Sequence, residues 1–160
     1  MIEVIIKAGI SAFLASIGFG ILFNIRGKKL ILAGLTGAIG GILYKYSLYL
    51  GMSELVANFL GALGLAIFGE IFARLCKTPV TTFIVCALIP LVPGGGMYYT
   101  MLEVIQGNVQ EALVKGLETL SIAGVLALGI LVVSTGTQFY LRTKRAMEMI
   151  SLCQVDTQNN

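Results

Sequence analysis

Three groups of residues in this chain have the types and spacing to do chemistry. The first is Pro90-Leu91-Val92-Pro93-Gly94-Gly95-Gly96-Met97-Tyr98-Tyr99, which sets two prolines and three glycines inside an apolar stretch. Proline removes a backbone donor and clashes with the preceding turn, and glycine weakens a helix interior, so the backbone must open here and release amides and carbonyls from helical partners. In lipid such a break is tolerated only where protein or a water-filled cavity satisfies the freed groups. Amides of Gly94, Gly95, Gly96 and Met97 would gather at a new helix N-terminus, where the dipole favours an anion such as a substrate carboxylate. A Tyr98 or Tyr99 hydroxyl could add a donor. The competing reading is a plain turn at the membrane surface, with the tyrosines in an aromatic belt.

The second group is Glu70 with Arg74. An ionisable residue inside an apolar run needs a partner, and Arg74 at i+4 offers an intrahelical ion pair. The functional alternative is coupling or gating. The third is Asn58, one to two turns inside the other end of the same run, which either lines a pathway or bonds a neighbouring helix.

Enzyme chemistry finds little support. The chain has no histidine, which removes His-based zinc sites, serine–histidine dyads and histidine proton relays. A serine–lysine pair is allowed by composition, but no spacing suggests one. Cys76, Cys86 and Cys153 are an odd number, two of them in or beside one apolar run, so neither a disulfide framework nor a metal or redox role follows. No catalytic residue, metal or cofactor is expected.

The elements that must position these residues follow from composition. The 160 residues are 57% hydrophobic and 12% charged, with 20 glycines, and the mean hydropathy is +0.92; soluble domains carry about 25% charged residues. The expected class is an all-α polytopic integral membrane protein. Apolar runs at Val4 to Phe23, Leu30 to Leu50, Leu55 to Phe72, Val80 to about Ile105 and Leu117 to Leu141 each approach the ~20 residues that cross a bilayer. They predict five transmembrane helices with a Pro/Gly-broken fourth. Val80 to Leu91 alone would make only about 18 Å of helix, short of the ~30 Å hydrocarbon thickness. A second piece from near Gly96 would complete the span.

The run to Phe23 has no basic leader or small-residue cleavage site and reads as a retained first span. Residues 1–145 are then one transmembrane domain, and 146–160 a polar cytoplasmic tail that extends the last helix before fraying. Between Gly107 and Gly116 the polar stretch Asn108 to Lys115 suits a short interfacial helix. Small residues at Ala8, Ala12, Ser16 and Gly20, at Gly37 and Gly41, and at Gly61, Ala62, Gly64 and Ala66 mark close helix contacts. The glycines at 34, 37 and 40 lack the lysine and strand context of a nucleotide site.

Charge sets the expected topology. With five spans, Arg26, Lys28, Lys29, Arg74, Lys77, Arg142, Lys144 and Arg145 share one side, leaving Lys7, Lys45 and Lys115 for the other. The basic side is cytoplasmic by the positive-inside rule, so the N-terminus is outside, the C-terminus inside, and Glu103, Glu111 and Glu118 lie outside. The net charge of +3 comes without a basic tract or interleaved aromatics, so nucleic acid is not an expected partner.

Glu70-Ile71-Phe72-Ala73-Arg74, then Pro79, then Ile89-Pro90-Leu91-Val92-Pro93-Gly94 and Tyr98 resemble the threonine/serine exporter family, in particular its small, YjjB-like membrane half. By position the matches are Glu70, Arg74, Pro79, Pro90, Pro93, Gly94 and Tyr98. The resemblance covers essentially the whole chain in length and span number, and Pro-x-x-Pro-Gly followed by Tyr is its most distinctive part. It implies a subunit of a secondary exporter in the cell (plasma or inner) membrane, working with a larger YjjP-like membrane subunit. The implied cargo is a small carboxylate-bearing metabolite: threonine or serine, with a dicarboxylate such as succinate as the alternative. The expected pathway residues are Pro90, Pro93, Gly94, Gly95, Gly96, Tyr98 and Asn58, and the coupling or gating residues are Glu70 and Arg74. A homo-oligomer and a non-transporting scaffold subunit are further alternatives.

Overall fold

The computed structural model describes residues 2–158, with side chains described for 3–141 and for Thr143. The basic cluster Arg142, Lys144 and Arg145, the thiol of Cys153, and Asn159 and Asn160, where fraying is expected, therefore lie outside the described side chains or residues. All regular structure among the described residues is helical: α1 (Ile2–Leu22), α2 (Lys28–Tyr49), α3 (Glu54–Leu75), α4 (Thr81–Leu88), a 3₁₀ turn (Ile89–Leu91), α5 (Gly94–Gln106) and α6 (Val109–Gln158). At 1.5 Å per residue, α1, α2 and α3 are each about 31–33 Å long, the thickness of a hydrocarbon layer. Among the described residues, four helices are long and apolar enough to cross a membrane, and α4 with α5, bent by 50° at the break between them, are together long and apolar enough to make a fifth span. The chain is a multi-pass membrane protein of about five spans, as its apolar runs predict.

Small residues bring α1, α2 and α3 together. A Cβ added to Gly41 would come within 2.8 Å of Ala12 Cβ, and one added to Gly37 would collide with Ser16. On the opposite side of α2, a Cβ at Gly40 would lie 3.2 Å from Leu65 Cβ, and one at Gly61 would lie 3.2 Å from the Gly40 carbonyl oxygen. Without a hydrophobic drive between helices in lipid, such backbone approach is what supplies the packing energy. Large residues such as Ile6, Ile10, Leu14 and Ile21 of α1 stay exposed, as a lipid-facing surface requires.

α4 packs into the angle between α2 and α3. Phe83 and Cys86 join Ala33 and Ala73 in one buried cluster, while Ile84, Ala87 and Leu91 join Ala62, Leu65, Ala66 and Leu126 in another. α4 and the 3₁₀ turn thus reach inward only as far as Leu91, where Gly61 leaves room for its side chain. From there the chain bends, and among the described residues α5 packs on α6 alone. α5 ends at Gly107, whose φ of 83° is the left-handed conformation that glycine adopts freely; the Asn108 amide then donates to the Glu103 carbonyl at 2.9 Å and closes the cap.

The separate interfacial helix expected at Asn108 to Lys115 is instead the first turns of the 50-residue α6. Two of the polar residues there are used by tertiary contacts, since Lys115 pairs with Glu103 of α5 and Asn108 Nδ2 donates to Glu103 Oε2 at 2.9 Å, and no proline follows Asn108 to end the helix. Lower down, α6 runs beside α3, with Gly129 against Ala62 and Phe59. Beyond Leu141 it carries the expected helical extension to Gln158.

Candidate functional site

The two prolines of the break face a cavity of about 470 Å³. Ala8, Ser11, Ala12 and Ala15 of α1 form one wall, small enough to leave space, and Gly41, Tyr44 and Lys45 of α2 form the next. Glu54 and Asn58 come from the first turns of α3, Pro90 to Pro93 from the break, and Ile122 from α6. The volume falls in the ~300–1,000 Å³ range of small-molecule sites. The mixture of alanines, prolines and a few polar groups is of the usual kind.

The polar groups are held from both sides of the α2–α3 turn. Asn58 is 3% exposed; its Nδ2 donates to the Glu54 carbonyl at 2.9 Å, which leaves Oδ1 free to accept. The Tyr44 hydroxyl donates to Glu54 Oε1 at 3.5 Å, a long contact. Lys45 Nζ lies over the Tyr44 ring, 5.5 Å from its centroid. Ion pairs among the described residues are Glu3–Lys7, Glu70–Arg74 and Glu103–Lys115, so neither Lys45 nor Glu54 is spent on a salt bridge.

Gly96 lies on a neighbouring cavity of about 470 Å³, which shares Glu54, Pro93 and Ile122 with the first and adds Tyr99, Lys115, Glu118 and Thr119. Gly94 and Gly95 are exposed, and a Cβ on either would meet nothing within 4 Å. Tyr98 is also exposed and packs edge-to-face on Tyr99 with centroids 5.4 Å apart. At the start of α5 the Gly94 amide donates to Val92 O at 2.7 Å and the Met97 amide to Pro93 O at 3.1 Å. The anion-binding amides expected at this helix start are thus reduced to those of Gly95 and Gly96, which have no backbone acceptor.

Glu70 and Arg74 sit toward the other end of α3. Arg74 Nη2 donates to Glu70 Oε2 at 3.1 Å, and Glu70 is 7% exposed. The pair borders a shallower cavity of about 290 Å³ with Lys77, Thr78, Val80, Gln138 and Leu141. Glu70 lies twelve positions beyond Asn58 on α3, about 18 Å along the axis.

The structure therefore groups Pro90, Pro93 and Asn58 at one cavity, places Gly96 on its neighbour, leaves Gly94, Gly95 and Tyr98 on the surface of α5, and sets Glu70 with Arg74 apart. Sequence reasoning missed Tyr44, Lys45 and Glu54. The available signal was Lys45 itself, an ionisable residue inside the second apolar run, which by default marks a functional position.

A family model described as "Threonine/Serine exporter, ThrE" matches residues 8–135. An uncharacterized protein of Haemophilus influenzae is 25% identical over 95 residues, covering 59% of this chain and 32% of that protein, so the chain spans about a third of that relative's length. No solved structure matches.

Proposed function

This chain belongs to the threonine/serine exporter family, and we propose that it is one membrane subunit of a secondary exporter for small carboxylate-bearing metabolites, threonine and serine first. The observation that carries this reading is the cavity at the Pro90–Pro93 break, where α1, α2, α3, α6 and the interrupted span leave room for a small polar molecule. Transporter sites recur at such discontinuous helices because the open backbone supplies polar groups that lipid cannot.

In this reading Pro90, Pro93 and Asn58 line the pathway, Gly96 and the adjoining cavity extend it along α5, and Gly94, Gly95 and Tyr98 border the opening. Glu70 and Arg74 act at the far end as the coupling or gating pair. The chain lies in the plasma or inner membrane with its N-terminus outside, and residues 146–160 form the cytoplasmic tail. A larger YjjP-like membrane subunit completes the transporter, which accords with the chain spanning about a third of its relative.

The test is export of threonine from cells that coexpress this chain with such a partner. Ser11→Leu and Ala15→Leu push side chains into the cavity and are expected to lower export strongly at matched membrane levels. Gly124→Leu, at a position with nothing within 4 Å, is expected to leave it unchanged. Equal export by all three variants would rule the cavity out as the pathway.

A further inference from the structure

The cavity at the break holds one cation and one anion that do not neutralise each other. Lys45 comes from the last turns of α2 and Glu54 from the first residue of α3, so the short connector between these helices returns the two charges to one space. Both line the cavity, yet no ion pair joins them and neither is paired elsewhere among the described residues. Lys115, the cation that lines the adjoining cavity, is taken by Glu103. Glu54 is exposed and accepts a long hydrogen bond from the Tyr44 hydroxyl, while Lys45 is half-buried, so both charges stay open to a ligand that brings the complementary ones.

We propose that Lys45 and Glu54 are the two poles of a site for a zwitterionic α-amino acid, Lys45 meeting its carboxylate and Glu54 its ammonium. The free Oδ1 of Asn58 accepts from the ammonium or from a side-chain hydroxyl. This rests on the exporter reading above and adds to it the residues that select the cargo. A zwitterion enters a cavity of zero net charge and leaves it at zero, with each pole paired. A dicarboxylate brings two negative charges to a single lysine and sets one of them against Glu54, which opposes its burial. The pair thereby discriminates as much by repulsion as by attraction.

The experiment measures binding of radiolabelled L-threonine and of succinate to the full-length chain in lipid nanodiscs, and export of both from cells coexpressing the larger partner. Glu54→Gln and Lys45→Gln are each expected to weaken threonine binding by at least about tenfold, the size of one lost charge-assisted contact. Glu54→Lys is expected to abolish threonine binding and raise that of succinate. The exchange Lys45→Glu with Glu54→Lys restores the two opposite poles and is expected to recover part of the threonine binding that either reversal alone destroys. Threonine binding within about threefold of wild type in both glutamine variants overturns the zwitterion site while leaving the exporter reading intact. So does equal loss of threonine and succinate in every variant, with no rescue by the exchange. Wild type that exports neither compound overturns the exporter reading itself.

Discussion

Replacing Gly61 by alanine sets two known effects against each other, and the structure decides between them. Alanine gains about 1 kcal/mol over glycine in a helix interior. Against this, the new Cβ would sit 3.2 Å from the Gly40 carbonyl oxygen, 2.8 Å from Leu91 Cδ2 and 3.4 Å from Tyr44 Cβ. The Leu91 methyl can rotate away, but the Gly40 oxygen belongs to the backbone of the facing helix and retreats only if α2 moves. Overpacking of this kind costs about 1–3 kcal/mol, so the net expectation is a loss of about 1 kcal/mol. For a chain of this size that lowers Tm by about 2–4 °C. Gly124 is the matched control, since it lies in α6 with nothing within 4 Å of an added Cβ; Gly124→Ala should raise Tm by a similar amount. Unfolding in detergent can be followed by the access of a thiol-reactive dye to Cys86, which is 1% exposed, with half-buried Cys76 setting the baseline. A Gly61→Ala protein that melts at or above wild type, or a Gly124→Ala protein that melts below it, refutes the close-approach argument for α2 and α3.

Three other expectations follow from side-chain accounting. Ser16 is fully buried and its Oγ has no partner, whereas Thr36, Ser47 and Thr137 each donate to the carbonyl four residues back; Ser16→Ala should therefore stabilise by about 1 kcal/mol, read as a raised Tm. Arg74→Ala should destabilise more than Glu70→Gln, by about 1–3 kcal/mol, because it strands the nearly buried Glu70 carboxylate, the cost falling short of a fully buried pair since the Arg74 side chain is 39% exposed; equal melting points in the two variants would count against it. Glu103→Gln removes the charged tie from α5 to Lys115, and hydrogen exchange should then quicken across Gly94–Gln106 while α2 and α3 stay protected, a selective pattern that global destabilisation would not give.

What was legible in the sequence was whatever depends on local composition. Runs of about 20 apolar residues leave little choice but membrane helices, and Pro90 with Pro93 stops a helix wherever it lies. The small residues of α1 to α3 also announced their contacts, because only they permit such close approach. Lys45 was visible as an ionisable residue in an apolar run, but that it shares a cavity with Glu54, nine positions along and beyond the turn, depends on how α2 and α3 fold back on each other. Asn108 to Lys115 misled for a similar reason. Their polarity suggests a membrane surface, but Glu103 on a different helix answers it, and the helix continues.

The attachment of α5 to α6 alone orders events during synthesis. α1, α2, α3 and α4 can assemble as each follows its neighbour from the ribosome, yet α5 emerges without any surface to settle on and must wait for the first turns of α6. A chain released with its end at Gly107 would leave α5 undocked and the pocket open on one side, and α6 as far as Ile122 would be needed to complete it.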